Sequence, residues 1–85
     1  MLTEYRVTVV PKEGRPYNPL HAELQGAIAT NVELNLGERG YFLAEFQDGH
    51  VSGISTSRVE GVEMLSNGTI RLITHNTVYI FNKIT

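Results

Sequence analysis

The chain of 85 residues contains no cysteine and no tryptophan, and only three prolines. The absence of cysteine excludes a disulfide framework, a thiolate metal site and a thiol nucleophile. Seven lysines and arginines stand against nine aspartates and glutamates, for a net charge of −2. The composition therefore lacks the excess of positive charge that is typical of nucleic-acid-binding domains, and an anionic partner would need a local cluster of cations.

Long apolar runs are also missing. No segment approaches the roughly 20 apolar residues of a membrane-spanning helix. Residues 1–5 lack the basic and then apolar pattern of a signal peptide. The sequence thus predicts a cytoplasmic protein without a membrane partner. Residues 1–85 are expected to form a single β-barrel-like domain, and so short a chain buries only about 60–65% of the surface that its unfolded form exposes. We therefore expect a homo-oligomer.

The clearest structural signal lies between residues 60 and 85. Runs rich in Val, Ile, Thr, Tyr and Phe alternate there with two turn signals, Asn67-Gly68 and His75-Asn76. Asn-Gly between such runs is the strongest short-range signal for a β-hairpin. The sequence therefore predicts two consecutive hairpins in this segment.

The spacing of the apolar residues predicts the pairing within these hairpins. In the first, four apolar side chains share a face only if Ser66-Asn67-Gly68 forms a three-residue loop with a left-handed Gly68. These four are Val62, Met64, Ile70 and Leu72. In the second, a two-residue turn at His75-Asn76 would pair Leu72 with Tyr79. The same turn would pair Ile70 with Phe81, and Ile73 with Val78 on the reverse face.

Strand alternation also marks residues 5–10, and residues 41–47 followed by residues 50–56. A two-residue loop at Asp48-Gly49 would pair Leu43 with Ile54 and Phe46 with Val51. The predicted core face of this hairpin carries Phe42, Ala44, Phe46 and Val51. The opposite face carries Tyr41, Leu43 and Ile54, which is more apolar than a solvated face requires.

Residues 20–36 allow two interpretations. Apolar residues recur at even positions and polar residues at odd positions, which fits strands. Alternatively, Asn18 could cap one short helix near residues 19–25 with Pro19 in its first position. Residues 28–36 are predicted to be a strand, because β-branched residues concentrate there and Gly37 follows.

Apolar side chains on both faces of several strands predict an all-β fold. They favour a small, strongly bent antiparallel sheet or an SH3-like barrel of five to seven strands. The outer surface would keep several apolar side chains partly exposed, and we expect self-association through some of them. These are Leu43, Ile54, Ile73 and Ile80.

Two short motifs carry a resemblance to known proteins. Thr56-Ser57-Arg58-Val59 and Thr74-His75-Asn76-Thr77-Val78-Tyr79 bracket the hairpin at Asn67-Gly68. This arrangement resembles the C-terminal half of small uncharacterised all-β proteins of bacteria and their phages, from about Gly40 onward. The resemblance implies the fold and a phage or mobile-element origin, and it carries no activity.

Groups that catalysis would need are scarce. The three histidines, His21, His50 and His75, show no spacing that would place two imidazoles on one metal. No Gly-x-Ser-x-Gly motif exists, and the single aspartate, Asp48, belongs to a turn signal. Gly37-Glu38-Arg39-Gly40 lacks the Lys-Ser or Lys-Thr of a phosphate loop and is predicted to be a turn. We expect neither an enzyme, nor a metal, nor a cofactor.

The segment Ser55-Thr56-Ser57-Arg58 combines hydroxyls with one guanidinium between two apolar strands. Such a group could hold a phosphate or carboxylate. The alternative is a strand crossover whose hydroxyls bond their own backbone, as Ser and Thr often do in loops. The candidate ligand-binding residues are Arg58, Ser57, Thr56, Arg39 and Tyr41.

The sequence therefore predicts a small non-enzymatic binding module. Its ligand would be a protein partner or a small anion such as a nucleotide signal. The alternative is a nucleic-acid-binding SH3-like or OB-like barrel. A shared basic face of four arginines with interleaved tyrosines would favour that alternative, and dispersed arginines would count against it. The four are Arg6, Arg39, Arg58 and Arg71.

Overall fold

The computed structural model describes residues 3–15 and 18–84, which form six strands and one short helix. The elements are β1 (Tyr5–Pro11), α1 (Pro19–Leu24), β2 (Ile28–Glu33), β3 (Arg39–Glu45), β4 (Val51–Met64), β5 (Ile70–Thr74) and β6 (Thr77–Lys83). Each strand pairs with the next in antiparallel fashion, and β6 pairs with β1 to close a barrel. The predicted small all-β barrel is confirmed, and its likeness to SH3 domains stays a prediction.

Alternating residues of all six strands fill the barrel interior, and aromatic rings form its centre. Phe42 and Phe81 are fully buried and meet edge to face, with ring centroids 5.2 Å apart. Tyr79 packs against Phe42 in the same geometry at 6.1 Å. Each such side chain stabilises the fold by about 1.5–3 kcal/mol through apolar burial. The centre of the barrel is therefore packed, and sites for ligands must lie at its ends or outside.

Both C-terminal hairpins have the predicted pairing. Met64 pairs with Ile70 and Val62 with Leu72, across a three-residue loop in which Gly68 has φ +84°. Leu72 pairs with Tyr79, Ile70 with Phe81 and Ile73 with Val78. The Thr74 hydroxyl stabilises the second turn, since it donates to Thr77 O and accepts from Thr77 N.

In the hairpin of β3 and β4, the observed register differs from the predicted register by one residue. Phe46 N–H donates to His50 O at 2.8 Å, so the loop contains Gln47, Asp48 and Gly49 rather than Asp48 and Gly49 alone. Gly49 adopts φ +88°, the left-handed conformation that this type of loop needs. Because side chains alternate, Ile54 turns into the core and Val51 turns outward, opposite to the prediction.

Residues 19–24 form the helix, so the strand interpretation is wrong there. The Asn18 side chain accepts a hydrogen bond from Leu20 N–H, and Pro19 occupies the first turn. Leu24 anchors the helix in the core, where it is fully buried. The predicted strand over residues 28–36 is too long, because β2 ends at Glu33 after Asn31 takes φ +51° and shifts the register with β3.

Where β1 and β2 separate, the side chain of Gln25 takes the place of a neighbouring strand and bonds the backbone of β1. Its side chain accepts from Val9 N–H at 3.0 Å and donates to Val9 O at 2.6 Å. The neighbouring Gly26 N–H donates to Val7 O. One carboxamide thus satisfies both backbone groups of Val9, which are otherwise left without a partner strand. This contact holds the C-terminal end of α1 against the barrel.

Candidate functional site

Strand β4 is paired on both edges along only part of its length. Residues 51–58 pair with β3, whereas pairing with β5 begins at Val59. Among the described residues, the edge of residues 51–57 that faces away from β3 has no strand beside it. Helix α1 lies across this gap and leaves a cleft on either side. The larger cleft, of about 560 Å³, is bounded by Leu20, Phe46, His50, Ser52 and Ile54 among others.

The hydrogen-bond pattern shows which backbone groups line the gap. Phe46 and His50 form a hydrogen-bonded pair, and such pairs recur at every second residue of an antiparallel ladder. Ser52 and Ile54 therefore bond to β3. The N–H and C=O groups of Val51, Gly53 and Ser55 point the other way, toward the gap.

The smaller cleft, of about 330 Å³, lies between α1, β4 and the turn that joins β5 to β6. Its lining residues are Asn18, Pro19, His21, Ser55, Ser57, Asn76, Thr77 and Tyr79. The His21 ring meets Tyr79 edge to face, and its Nε2 lies 3.4 Å from Thr77 Oγ1. Burial lowers the pKa of His21 and raises that of the Tyr79 phenol. The lining is therefore uncharged near neutral pH, and we name it the neutral cleft.

An adjoining pocket of about 360 Å³ carries cations. It is lined by Gly37, Arg39, Ser57, Arg58 and His75, and we name it the arginine pocket. Arg39 and Arg58 are directly opposite each other on β3 and β4. Like charges in such positions repel each other. Within the described residues neither guanidinium forms an ion pair.

A tight turn positions Arg39 in this pocket. The Glu38 N–H donates to Asn35 O at 3.1 Å, and Gly37 adopts φ +83°. Gly37 N–H then donates to Val59 O, while Val59 N–H donates to Glu38 O. These bonds join the turn to β4 and set Arg39 beside Arg58. The turn spans residues 35–38, whereas Arg39 and Gly40 already belong to β3, so the turn predicted for residues 37–40 lies two residues earlier in the chain.

One carboxylate lies beside the pocket and has its own partners. Glu60 Oε2 is 3.2 Å from His75 Nδ1, and Glu60 Oε1 is 3.1 Å from Lys12 Nζ. Hydrogen bonds from His75 and Lys12 lower the pKa of Glu60, so it is ionised at neutral pH. Because Glu60 is engaged by Lys12 and His75, it leaves the two arginines uncompensated.

The structure brings together three of the five predicted ligand-binding residues: Arg39, Ser57 and Arg58. Thr56 instead faces the interior and is 2% exposed; its hydroxyl accepts from Gly40 N–H and donates to Ser57 O. It fastens β3 to β4 and cannot reach a ligand in the arginine pocket. Residues 55–58 lie inside continuous β4, so the predicted connection between two strands is wrong.

Tyr41 also lies outside the arginine pocket. Its ring covers Gly53 on the outer face of the barrel, where a Cβ atom at position 53 would collide with the phenol oxygen. It borders a shallow depression with Glu33 and Leu43. Tyr41 thus packs on a glycine of the neighbouring strand, which explains an aromatic residue on this face.

Sequence reasoning missed several members of this region. Gly37 and His75 belong to turns that the sequence marks, but only the pairing of β3, β4 and β5 shows that the two turns are neighbours. His21 and Tyr79 come from a helix and a strand that are far apart in the chain, and their proximity depends on α1. The sequence contains signals for both turns, but it contains no signal that the two turns lie next to each other.

The other two arginines are dispersed. Arg6 Nη1 donates to Gly26 O at 2.8 Å, and Arg71 forms an ion pair with Glu63 on the outer face of β4 and β5. Neither lines the arginine pocket. The structure therefore lacks, among its described residues, the shared basic face that the nucleic-acid alternative requires.

Within residues 3–15 and 18–84, no three His, Cys, Asp or Glu residues are grouped so that they could hold a metal ion. The same residues include no helix with the length and apolar character needed to cross a membrane. No protein-family model, curated protein or solved structure matches the chain.

Proposed function

We propose that the protein is a non-enzymatic binding module that captures a small anionic ligand in the arginine pocket. The observation that carries this proposal is the placement of Arg39 opposite Arg58 without a carboxylate partner among the described residues. An anion between the two guanidinium groups would remove their mutual repulsion. Binding would therefore be strengthened because it removes the electrostatic repulsion between Arg39 and Arg58 in the free protein.

The pocket offers the donors that an oxyanion needs. Each guanidinium presents a planar fork of N–H groups that matches the oxygens of a phosphate or carboxylate. Ser57 Oγ accepts a hydrogen bond from Asn76 N–H at 3.2 Å, so the hydroxyl hydrogen is free to point at a ligand. His75 adds a further ring nitrogen at the rim.

Calorimetric titration of Arg58→Ala tests this proposal. Ligands are inorganic phosphate and a panel of mono-, di- and cyclic nucleotides. Loss of a charge-assisted pair is worth about 1.5–3 kcal/mol, so the affinity should fall roughly 10- to 150-fold. Arg58→Lys should restore part of it, because an ammonium group cannot reproduce the planar fork.

Arg71→Ala is the matched control, since Arg71 is an exposed strand arginine outside the pocket. It should bind as the wild type does. Absence of binding heat for every member of the panel in the wild type would overturn the proposal. Equal affinities of Arg58→Ala and Arg71→Ala would overturn it as well.

We also propose that the chain forms a homo-oligomer through the outer face of β5 and β6. Ile73 pairs with Val78 there, and Ile80 lies beside them, each half-buried in the single chain. Ile54 is only 5% exposed and cannot take part, which corrects the expectation for that residue. At high micromolar concentration, the Ile80→Glu variant should have a lower sedimentation coefficient than the wild type. A wild type that sediments as a monomer would contradict this proposal.

The cytoplasmic location and the phage or mobile-element origin belong to the same proposal. They are supported by the sequence resemblance from about Gly40 onward. A protein partner, in place of the small anion, is the alternative that remains if the titrations show no binding.

A further inference from the structure

The neutral cleft and the arginine pocket are adjacent. Ser57 lines both, and its hydroxyl accepts a hydrogen bond from Asn76 N–H, whose residue lines the neutral cleft. A ligand that extends past Ser57 would contact both. The arginine pocket alone suits a small anion, whereas the two together have room for an anion attached to a larger body, since typical ligand pockets measure about 300–1,000 Å³.

The chemistry of the neutral cleft restricts that body. The residues that line it include no lysine, arginine, aspartate or glutamate. His21 is kept neutral by burial at physiological pH. If the body attached to the anion were itself charged, its charged group would lose its hydration on entering the neutral cleft and would meet no opposite charge there. The body that fits is therefore uncharged.

The same cleft offers hydrogen-bonding groups without partners. The N–H and C=O of Ser55 point toward the gap beside β4, where no strand takes them up. The Ser55 hydroxyl and the Asn76 carboxamide form no hydrogen bond within the described part of the chain. A donor beside an acceptor on one strand edge complements the adjacent donor and acceptor groups on the edge of a nucleobase. A purely apolar body would leave these groups unsatisfied.

We propose that the ligand is a nucleoside phosphate, with its phosphate between Arg39 and Arg58 and its uncharged nucleoside in the neutral cleft beside Ser55. This inference rests on the proposed function, since the phosphate is the anion captured in the arginine pocket. It adds that the open edge of β4 recognises the base.

Titration of the full-length wild type separates the two parts of the ligand. The probes are AMP, GMP, CMP and UMP, together with inorganic phosphate, ribose 5-phosphate and adenosine. At least one nucleoside monophosphate should bind tenfold or more tightly than inorganic phosphate and ribose 5-phosphate. Adenosine should bind more weakly than AMP, because it lacks the charged group that the arginines hold.

Ser55→Pro tests the role of the open edge. Proline removes the Ser55 N–H, which points away from β3, so the ladder between β3 and β4 keeps its bonds. The affinity for the preferred nucleotide should fall about tenfold, and that for inorganic phosphate should not change. Val51→Pro makes the same change at an edge position outside both clefts and should leave both affinities unchanged.

A second variant covers the case in which Ser55→Pro fails to fold. Asn76→Ala removes the carboxamide and keeps the backbone N–H that bonds Ser57, and it should also weaken only nucleotide binding. Phosphate binding as tightly as every nucleotide would overturn this inference and leave the proposed function standing. A nucleotide preference that survives both Ser55→Pro and Asn76→Ala would overturn it too. No binding of any probe would overturn both proposals.

Discussion

The two halves of β4 differ in what lies along the edge that faces away from β3. From Val59 to Met64 that edge pairs with β5. From Val51 to Ser57 the same edge faces α1 across two clefts, and its backbone groups have no strand partner among the described residues. On this edge, residues 59–64 are paired with β5 and form what we call the closed half, whereas residues 51–57 are unpaired within the described part of the chain and form the open half.

This difference places the candidate site outside the packed core of a short barrel. Exposed strand edges are usually blocked by proline, charge or a covering element, because they promote aggregation. Here α1 lies over the open edge without pairing with it, and Gln25 fastens the helix to β1. Arg58 lies where the two halves of β4 meet, and Arg39 lies opposite it on β3. The candidate site thus lies where pairing on one strand is incomplete.

The largest expected effect compares core residues of the two halves. Leu72→Ala, beneath the closed half, should lower the free energy of unfolding by about 2–5 kcal/mol, because it leaves a sealed cavity. Ile54→Ala should cost less, at the low end of that range, since Ile54 borders the larger cleft and water can enter the space. Urea denaturation of both variants measures the difference. A larger loss for Ile54→Ala would show that the open half is the better packed one.

Next in size are the loops at the two ends of β4. Gly49 and Gly68 both have positive φ, and each closes a three-residue hairpin loop. Gly68→Val and Gly49→Val should each destabilise the fold by roughly 1–3 kcal/mol, because a β-branched residue is strained in the left-handed region. Ser66→Ala, in the same loop as Gly68, is the control and should change stability little. Wild-type melting of either glycine variant would refute the loop assignment.

A smaller loss is expected at the helix attachment. Gln25→Ala removes two hydrogen bonds to Val9 and should lower stability by about 1–2 kcal/mol. Amide hydrogen exchange at Val9 should also speed up, since its N–H loses its acceptor. Gln47→Ala in the β3–β4 loop is the matched control and should leave that exchange rate unchanged. Protection of Val9 in the Gln25→Ala variant would mean that another group takes over the strand edge.

The smallest predicted effect is a dependence on pH at α1. Burial lowers the pKa of His21 in the folded state below its ordinary value of 6.5. As the pH falls through 6.5, the unfolded chain takes up this proton before the folded chain does, so the His21 contribution favours unfolding below that pH. His21→Gln should flatten the fall in stability between pH 7.5 and 5. An unchanged slope in the variant would show that His21 is not responsible.

Features that are determined by neighbouring residues in the chain were easier to predict than features that depend on contacts between distant segments. The hairpins of residues 60–83 could be predicted because their loops specify their own conformation and their apolar faces allow one register. The β3–β4 hairpin was wrong by one residue, since Gln47-Asp48-Gly49 and Asp48-Gly49 both suit a turn and apolar residues occupy both faces. Local sequence could not decide between them.

Longer-range features were harder to predict. The segment of α1 satisfies period two and a helical cap equally, and its contact with the barrel comes from Gln25 on Val9, sixteen residues earlier in the chain. For the candidate site, the residue types were informative and the geometry was not. Arg39, Ser57 and Arg58 could be nominated as polar residues near predicted strand ends. Thr56 faces inward because it is two residues after Ile54, and Tyr41 lies over Gly53 because it pairs with Ser55. Both features therefore depend on the register of the β3–β4 hairpin, which local sequence could not decide.

The most direct test follows backbone amide resonances by NMR while AMP, GMP, CMP and UMP are added in separate titrations to the isotope-labelled protein. The central claim is that the open edge of β4 and the adjacent arginines form one ligand site. It predicts saturable shifts at Ser55, Ser57 and Arg58 on β4 and at Arg39 on β3, with little change at Arg71 on β5. Shifts centred on Arg71 and Ile80, or no saturable shifts at any nucleotide concentration, would contradict it.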